Sequence, residues 1–351
     1  MAFPKMFQAV PTILSSRAWH GWVVPMAICA LLGAELPAMA GAPQLRTQAP
    51  GYYRFMLGDF EVTALLDGTH GFPAYAVLQR MNGTGGADLL EKAEPGTTDA
   101  LLGAVDLKAP PEGSINGFLV NTGKQLVLID AGAGSFYGAC CGRLLSNLLA
   151  AGYRADQVDV VLLTHLHMDH VGGILKDDHA AFPNATVRVS RRDADYWLDA
   201  SHEPNAPANL LPMFGVARKA LQPYRDGGRF STFEDGAEVL PGIRAIATPG
   251  HTPGHSSYLV ESRGQRLLAW GDVVHVAPVQ FPRPDVTVTY DSDARSAERS
   301  RDALYAEAAG NGEWVAAAHI GFPGLGHVRR DGDRFMWVPA NYTTVLTPPA
   351  P

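Results

Sequence analysis

The chain has 351 residues, 46% of them apolar and 18% charged, with a formal net charge of −7. This is the balance of an ordinary globular protein with a sizeable core, and it excludes a disordered or fibrous chain. The acidic balance and the lack of any lysine- or arginine-rich run exclude a nucleic-acid partner, whose phosphates require clustered cations.

Residues 1–40 stand apart. Lys5 and Arg17 precede "GWVVPMAICALLG" (21–33), and "ELPAMAGAP" supplies an A-x-A site at Ala38 to Ala40. A basic start, an apolar stretch of about 13 residues and an A-x-A end are the order of a secretory signal. The stretch is too short to cross roughly 30 Å of hydrocarbon, so no stable membrane anchor is expected. The sequence predicts a cleaved signal peptide over 1–40, one domain over 41–351, and a periplasmic or secreted protein. Residues 1–40 hold Lys5, Arg17 and Glu35, a net +1, so the remainder carries −8. It keeps Cys140 and Cys141, which are adjacent and expected to be poorly placed for a bridge; no disulfide framework is predicted.

Residues 41–52 read as a linker or arm. "FEVTALLDG" (60–68) has strand character and ends in a glycine turn. Residues 80–113, interrupted by Gly and Pro, read as a surface excursion with a helix-like patch at "ADLLEKA". "INGFLVNTG" (115–123) and "KQLVLIDAG" (124–132) form a hairpin-like pair. "CGRLLSNLLAAG" (141–152) has helical spacing. The buried-strand run "VDVVLLT" (158–164) follows, then a strand at "ATVRVS" (185–190) and a helix starting at "RRDADYWLDA" (191–200). "IRAIATPGH" (243–251), "SSYLVES" (256–262), "RLLAWGD" (266–272) and "EWVAAAHI" (313–320) continue the strand series. "SAERSRDALYAEAAGNG" (296–312) is an amphipathic helix closed by Gly. Two β-rich halves with helices predict an α/β (α+β) chain of two packed mixed sheets with outer helices.

Four of the strand runs end in metal-ligand chemistry. "VVLLT" leads into His165, His167, Asp169 and His170; "IRAIATPG" into His251; "RLLAWG" into Asp272; and "WVAAA" into His319. His165 and His167, two apart on extended backbone, point to one side. Asp169 and His170 come after the chain turns, so they aim elsewhere, and one short loop serves two ions. Gly172 and Gly173 let the backbone turn closely behind it. If Asp272 bridges, one ion takes His165, His167, His251 and Asp272, and the other Asp169, His170, Asp272 and His319. Imidazole and carboxylate without thiolate suit two divalent ions, zinc first, with manganese, cobalt and iron also accepted. A closed structural zinc has four ligands, often cysteines; this donor set favours catalysis.

The H-x-H-x-D-H motif followed by separated His, Asp and His resembles the metallo-β-lactamase superfamily, an αββα sandwich of hydrolases. "LGDFEVTALLDGT", "GHTPGHSSYLVES", "GDVVHVAPVQF" and "FPGLGHVRRDGDRF" are similar to the methyl parathion hydrolase group, over nearly all of 54–343. The resemblance implies a hydroxide held between two ions that attacks an ester or phosphotriester centre, with Asp272 bridging and Asp169 both ligand and participant in proton transfer. It implies a homodimer, and it places Tyr137, Trp197 and Phe214 in a leaving-group pocket. Asp130 reads as an orienting residue or a turn residue, and His255 as a hydrogen-bonding residue within its turn.

His275 and Tyr290 depart from the parathion-degrading relatives, which are aliphatic at or near these positions. A histidine and a phenol fit an ester or lactone carbonyl better than a dialkyl phosphotriester, although His275 also reads as an ordinary partly buried histidine. The expected activity is an aryl esterase or lactonase with side activity on triesters such as methyl parathion, the alternative being a dedicated phosphotriesterase. β-Lactamases lack the bridging aspartate, and glyoxalase-II-like thioesterases differ elsewhere in the chain. Persulfide dioxygenases of this fold use one iron, which a metal analysis separates.

Overall fold

Two seven-stranded sheets carry the fold in a computed structural model that describes residue 42, residues 44–82 and residues 89–346. The signal-like segment 1–40 lies outside the described residues. The chain divides into two units, 1–47 and 48–351, and both sheets belong to the second.

The first sheet comprises β1 (Tyr52–Leu57), β2 (Phe60–Gly71), β3 (Glu112–Asn121), β4 (Leu126–Ile129), β5 (Val160–Leu162), β6 (Thr186–Ser190) and β7 (Phe230–Phe233), and its spatial order is the chain order. Neighbours are antiparallel from β1 to β4 and parallel from β4 to β7. The second sheet comprises β8 (Glu238–Leu240), β9 (Ile243–Ala247), β10 (Ser256–Ser262), β11 (Gln265–Ala269), β12 (Trp314–Ala316), β13 (Leu325–Asp331) and β14 (Arg334–Pro339), again in chain order. Only its β11–β12 pair is parallel.

The alternation of strand side chains sets the layers. Val62, Phe118, Val127, Ile129 and Leu162 face Ile243, Tyr258, Val260 and Leu267 in the core between the sheets. Their sequence neighbours Leu119, Leu128 and Val161, together with Val187, point outward, under helices α2 (Leu144–Ala150), α3 (Arg191–Leu198) and α4 (Leu211–Asp226). On the other side Leu268, Trp270 and Val315 pack under Leu304, Tyr305 and Ala308 of α5 (Ala294–Asn311). The result is the expected αββα sandwich. Asp293 caps α5 by accepting from the Ser296 N–H at 3.0 Å, and Gly312 closes it at φ 64°, the pairing that satisfies both helix ends. Among the described residues, no helix is long and apolar enough to cross a membrane.

Two local expectations change, and one helix is new. "ADLLEKA" does not form a helix: Leu89–Lys92 is a strand, paired antiparallel with Leu78–Asn82, and the helix, α1, lies after it at Pro95–Gly103. Pro95 explains the shift, because it opens a helix readily but cannot continue one. Helix α4 is masked in the sequence by Pro212 and Pro223, which sit in its first and last turns. Cys140 and Cys141 are bridged to each other, where the sequence predicts no bridge; Gly138 and Gly142, both at positive φ, bend the backbone around the pair.

Candidate metal centre

All seven predicted donors end strands on one edge of the sandwich. His165–His170 follow β5, with Met168–Val171 forming a single helical turn that carries Asp169 and His170 away from His165 and His167. His251 follows β9, Asp272 follows β11, and His319 follows β12. Among the described residues they form two groups, His165, His167, His251 with Asp272, and Asp169, His170, Asp272 with His319; the donor atoms of each group lie within 4.8 Å of one another. Asp272 is common to both. Its Oδ2 lies 3.1 Å from Nε2 of His251 and of His319, while its Oδ1 lies 2.9 Å from His170 Nε2.

The residues fit a pair of cations. Nε2 of His165, His167 and His170 and Oδ1 of Asp272 are buried without a hydrogen-bond partner. An orphaned buried polar atom is costly, and here four of them converge. Burial first, and neighbouring imidazoles second, push His165 and His167 well below their usual value. They are therefore neutral, the form that coordinates. Burial pulls His170 down, but Asp272, Asp130 and Asp169 outweigh it and hold it well above its usual value. Burial likewise opposes the charge on His251, yet Asp272 and Asp291 raise it to about 9. Burial would raise Asp272, but His170, His319 and the other imidazoles hold it well below the carboxylate range. Without a cation, protons supply the positive charge; an ion takes their place.

The donors are oriented from behind. Asp130 adopts φ 57° and accepts from His170 Nδ1 at 2.8 Å and from the Thr164 N–H and hydroxyl, both at 2.8 Å. It is thus turn residue and orienting residue at once. His319 Nδ1 donates to the Ser114 carbonyl at 2.9 Å. His255 holds the bridging aspartate through the backbone: the Asp272 N–H donates to its Nε2 at 3.1 Å, and its Nδ1 donates to the Thr248 carbonyl at 3.1 Å. Burial lowers His255 to about 3, which keeps Nε2 an acceptor. Gly271, at φ 57°, has no room for a side chain there, since a Cβ would lie 2.6 Å from His255 Nε2.

The sequence missed three further carboxylates. Asp291 accepts from His251 Nδ1 at 2.7 Å. Asp193, fully buried, accepts from the N–H of Leu166 at 2.8 Å and of Gly254 at 3.0 Å, tying the two histidine loops together. Asp67, at the irregularity in β2, accepts from the N–H groups of Ala133, Gly142 and Leu144 and so anchors the loop that carries Tyr137. Each is a lone acid whose partners lie far off in the chain, so no spacing signals it.

Five of the donors, His167, Asp169, His251, Asp272 and His319, floor a cavity of about 210 Å³, walled by His70, Phe72, Tyr137, Met213, His275 and Tyr290. Trp197 and Phe214 do not line it. Both are fully buried; Trp197 packs edge-on against His167 with ring centres 5.0 Å apart, and Phe214 packs on Trp197 at 4.6 Å. Their size places them in the core behind the site, and Met213 takes the wall position. His275 is buried, with Nε2 3.1 Å from Asp272 Oδ2 and its other ring nitrogen unpartnered. Asp169 first, then burial, holds the Tyr137 phenol far above its usual value; burial, then Asp169, raises Tyr290. Both phenols keep their protons.

Residues 110–319, more than half of the chain, match the metallo-beta-lactamase superfamily, and with the sandwich and its seven donors the chain belongs to that superfamily. Among curated relatives, the N-acyl homoserine lactonase of Bacillus cereus is 29% identical over 126 residues, 36% of this chain and 42% of that enzyme. The uncharacterised protein YobT of Bacillus subtilis is 32% identical over 44% of this chain and 60% of its own length. The matched stretch therefore spans less than two thirds of these relatives. Solved structures align more fully. The hydrolase AbOPH of the beta lactamase superfamily is 40% identical, with a TM-score of 0.78, over 85% of this chain and 100% of its own. AidC, a dizinc quorum-quenching lactonase solved with the product N-hexanoyl-L-homoserine, is 25% identical, with a TM-score of 0.74, over 84% and 99%.

Proposed function

We propose that the protein is a binuclear metal-dependent hydrolase of ester and lactone carbonyls, with aryl esters and lactones preferred and phosphotriesters such as methyl parathion as side substrates. The observation that carries this reading is the convergence of two four-donor groups on one shared carboxylate, open to a small cavity walled by phenols and a histidine. Two zinc ions are proposed, by analogy with the dizinc relative; the donor set also accepts manganese, cobalt or iron. Bound there, the ions lower the pKa of water toward about 7 and polarise the substrate oxygen.

The chain's own groups do the rest. Asp272 holds the two halves of the site at one carboxylate. Asp169 faces the cavity, and its carboxylate receives and returns the proton that moves between water and leaving group. The phenols of Tyr137 and Tyr290 stay protonated and donate hydrogen bonds to the substrate's oxygen atoms. His275 adds a polar group where a dialkyl phosphotriester would need an apolar wall. A dedicated phosphotriesterase is the second reading, favoured by the similarity to the methyl parathion hydrolase group along 54–343.

A panel of lactones, aryl esters, phosphotriesters and nitrocefin, run on protein of measured metal content, tests the proposal. The expected result is two ions per chain and the highest kcat/KM on an aryl ester or lactone. One iron per chain with oxygen uptake overturns it. Export rests on the order of basic, apolar and small residues in 1–40, and N-terminal sequencing of the secreted protein checks it. Homodimerisation, implied by the family resemblance, is checked by sedimentation.

A further inference from the structure

The buried stripe of helix α5 runs Ala297, Arg301, Leu304, Tyr305 and Ala308 at helical spacing. A guanidinium thus stands in an otherwise apolar row, 1% exposed. Among the described residues its hydrogen bonds go to three main-chain carbonyls and to no carboxylate. Nε donates to Val273 at 2.8 Å, and Nη1 donates to Pro284 at 2.6 Å and to Val286 at 3.0 Å. Burying a charge is costly, and an apolar side chain of similar volume often serves stability as well or better. The reason for the charge lies in what the three carbonyls belong to.

Val273 follows the bridging Asp272. The pairing of β11 with β12 ends at Ala269, so the ladder no longer fixes the backbone there, and Asp272 sits at φ −97°, ψ 35°. Pro284 and Val286 open the segment that carries Tyr290 and Asp291. Along it the Val288 N–H donates to Asp291 Oδ2 at 3.0 Å, and Asp291 Oδ1 accepts from His251 Nδ1 at 2.7 Å. Gln280, fully buried, closes the arrangement. Its Oε1 accepts from the N–H groups of His275 at 2.7 Å and Val276 at 3.0 Å. Its Nε2 donates to the Val286 carbonyl at 3.0 Å, the same oxygen that Arg301 holds. Residues 272–276 and 284–291 are thus tied through one carbonyl.

We propose that Arg301 is a positioning residue of the metal centre. With Gln280 it fixes the Val273 carbonyl against the Val286 carbonyl, and so keeps the bridging Asp272 in register with Asp291, the support of His251. The fork of the guanidinium suits this task, because one rigid group reaches carbonyls on two separate segments. The proposal rests on the binuclear reading above and names what holds its shared donor in place.

The test is titration of ion-free protein with cobalt against a competing chelator, read through the spectra of the two sites. Arg301→Met fills the space without donors. It is expected to weaken both ions by about 10-fold or more, because Asp272 belongs to both groups, and to change both spectra. Arg301→Lys keeps the charge but not the fork and is expected to fall short of the unaltered protein. Gln280→Met should weaken both ions as well, and the double variant should lose no more than the larger single loss, as two parts of one unit do. Melting temperature is followed throughout, and should Arg301→Met not fold, Arg301→Lys and Gln280→Met decide. Variants that lower only the melting temperature, with affinities and spectra unchanged, overturn the proposal. So does full affinity in Arg301→Lys, which would make charge alone sufficient, and so does weakening of one ion only. Losses that simply add would mark two separate supports and overturn the unit. If the unaltered protein binds fewer than two cobalt ions, the binuclear reading itself fails, and this one with it.

Discussion

The two ligand-bearing halves of the site solve one problem in different ways. After β5, four donors sit within six residues, held by Asp130 at His170 and by Asp193 at the Leu166 N–H. In the second sheet three donors lie on three strand ends, and each has its own support: Asp291 for His251, the His255 ring for Asp272 and the Ser114 carbonyl for His319. Crowding lets one loop conformation place four groups. Dispersion demands that each group be fixed by tertiary contacts, and Asp272 then joins the halves.

Breaking the junction should do most damage. Asp272→Ala removes a donor from both groups and is expected to lose both ions and activity on the order of 10³-fold or more. Asp169→Ala removes a donor from one group and should leave one ion bound; elemental analysis beside kcat separates the two. Equal metal loss in both variants would dissolve the distinction between shared and private donors.

Supporting carboxylates should cost less, and should do so asymmetrically. Asp130→Asn and Asp291→Asn are each expected to weaken metal affinity by about 10- to 100-fold. Asp130→Asn should act on the ion of the His170 group, and Asp291→Asn on that of the His251 group. Competitive chelator titration with cobalt, read through the spectra of the two sites, checks this assignment.

The smallest effect concerns the tie between the loops. Burial raises Asp193 to about 6 despite its hydrogen bonds from the N–H groups of Leu166 and Gly254. The folded protein therefore binds this proton more tightly than the unfolded chain. Stability from this group is gained as pH falls through 6 and lost as it rises. Urea unfolding of ion-free protein should show about 1 kcal/mol more stability from this source at pH 5 than at pH 7. Asp193→Asn should lack that increment, and an identical pH slope in both proteins would refute the assignment.

The donors are legible in the sequence because strand-end histidines and aspartates after apolar runs are unusual, and because the first four are contiguous. The sandwich is legible from short continuous apolar runs such as "KQLVLIDAG", buried along Leu126–Ile129. Supports such as Asp291 and Asp193 are not, since their partners lie 40 and 27 residues away. Nor does sequence distinguish an aromatic ring on the cavity wall from one behind it: Tyr137 faces the cavity, while Trp197 and Phe214, equally apolar, are enclosed. The hairpin of β13 and β14 shows in the sequence only as a motif, because charged residues interrupt its alternation at Arg329–Asp331.

The strand order of the two sheets has a consequence for how the protein assembles. Each strand pairs with the next one in its sheet, so each sheet grows by joining chain neighbours, across long connections at 72–111, 191–229 and 270–313. The crowded loop belongs to one sheet and the dispersed donors to the other, so a complete coordination sphere exists only once the two have docked. Metal uptake is then a late event that clasps two independently zipped halves, and its binding free energy opposes their parting.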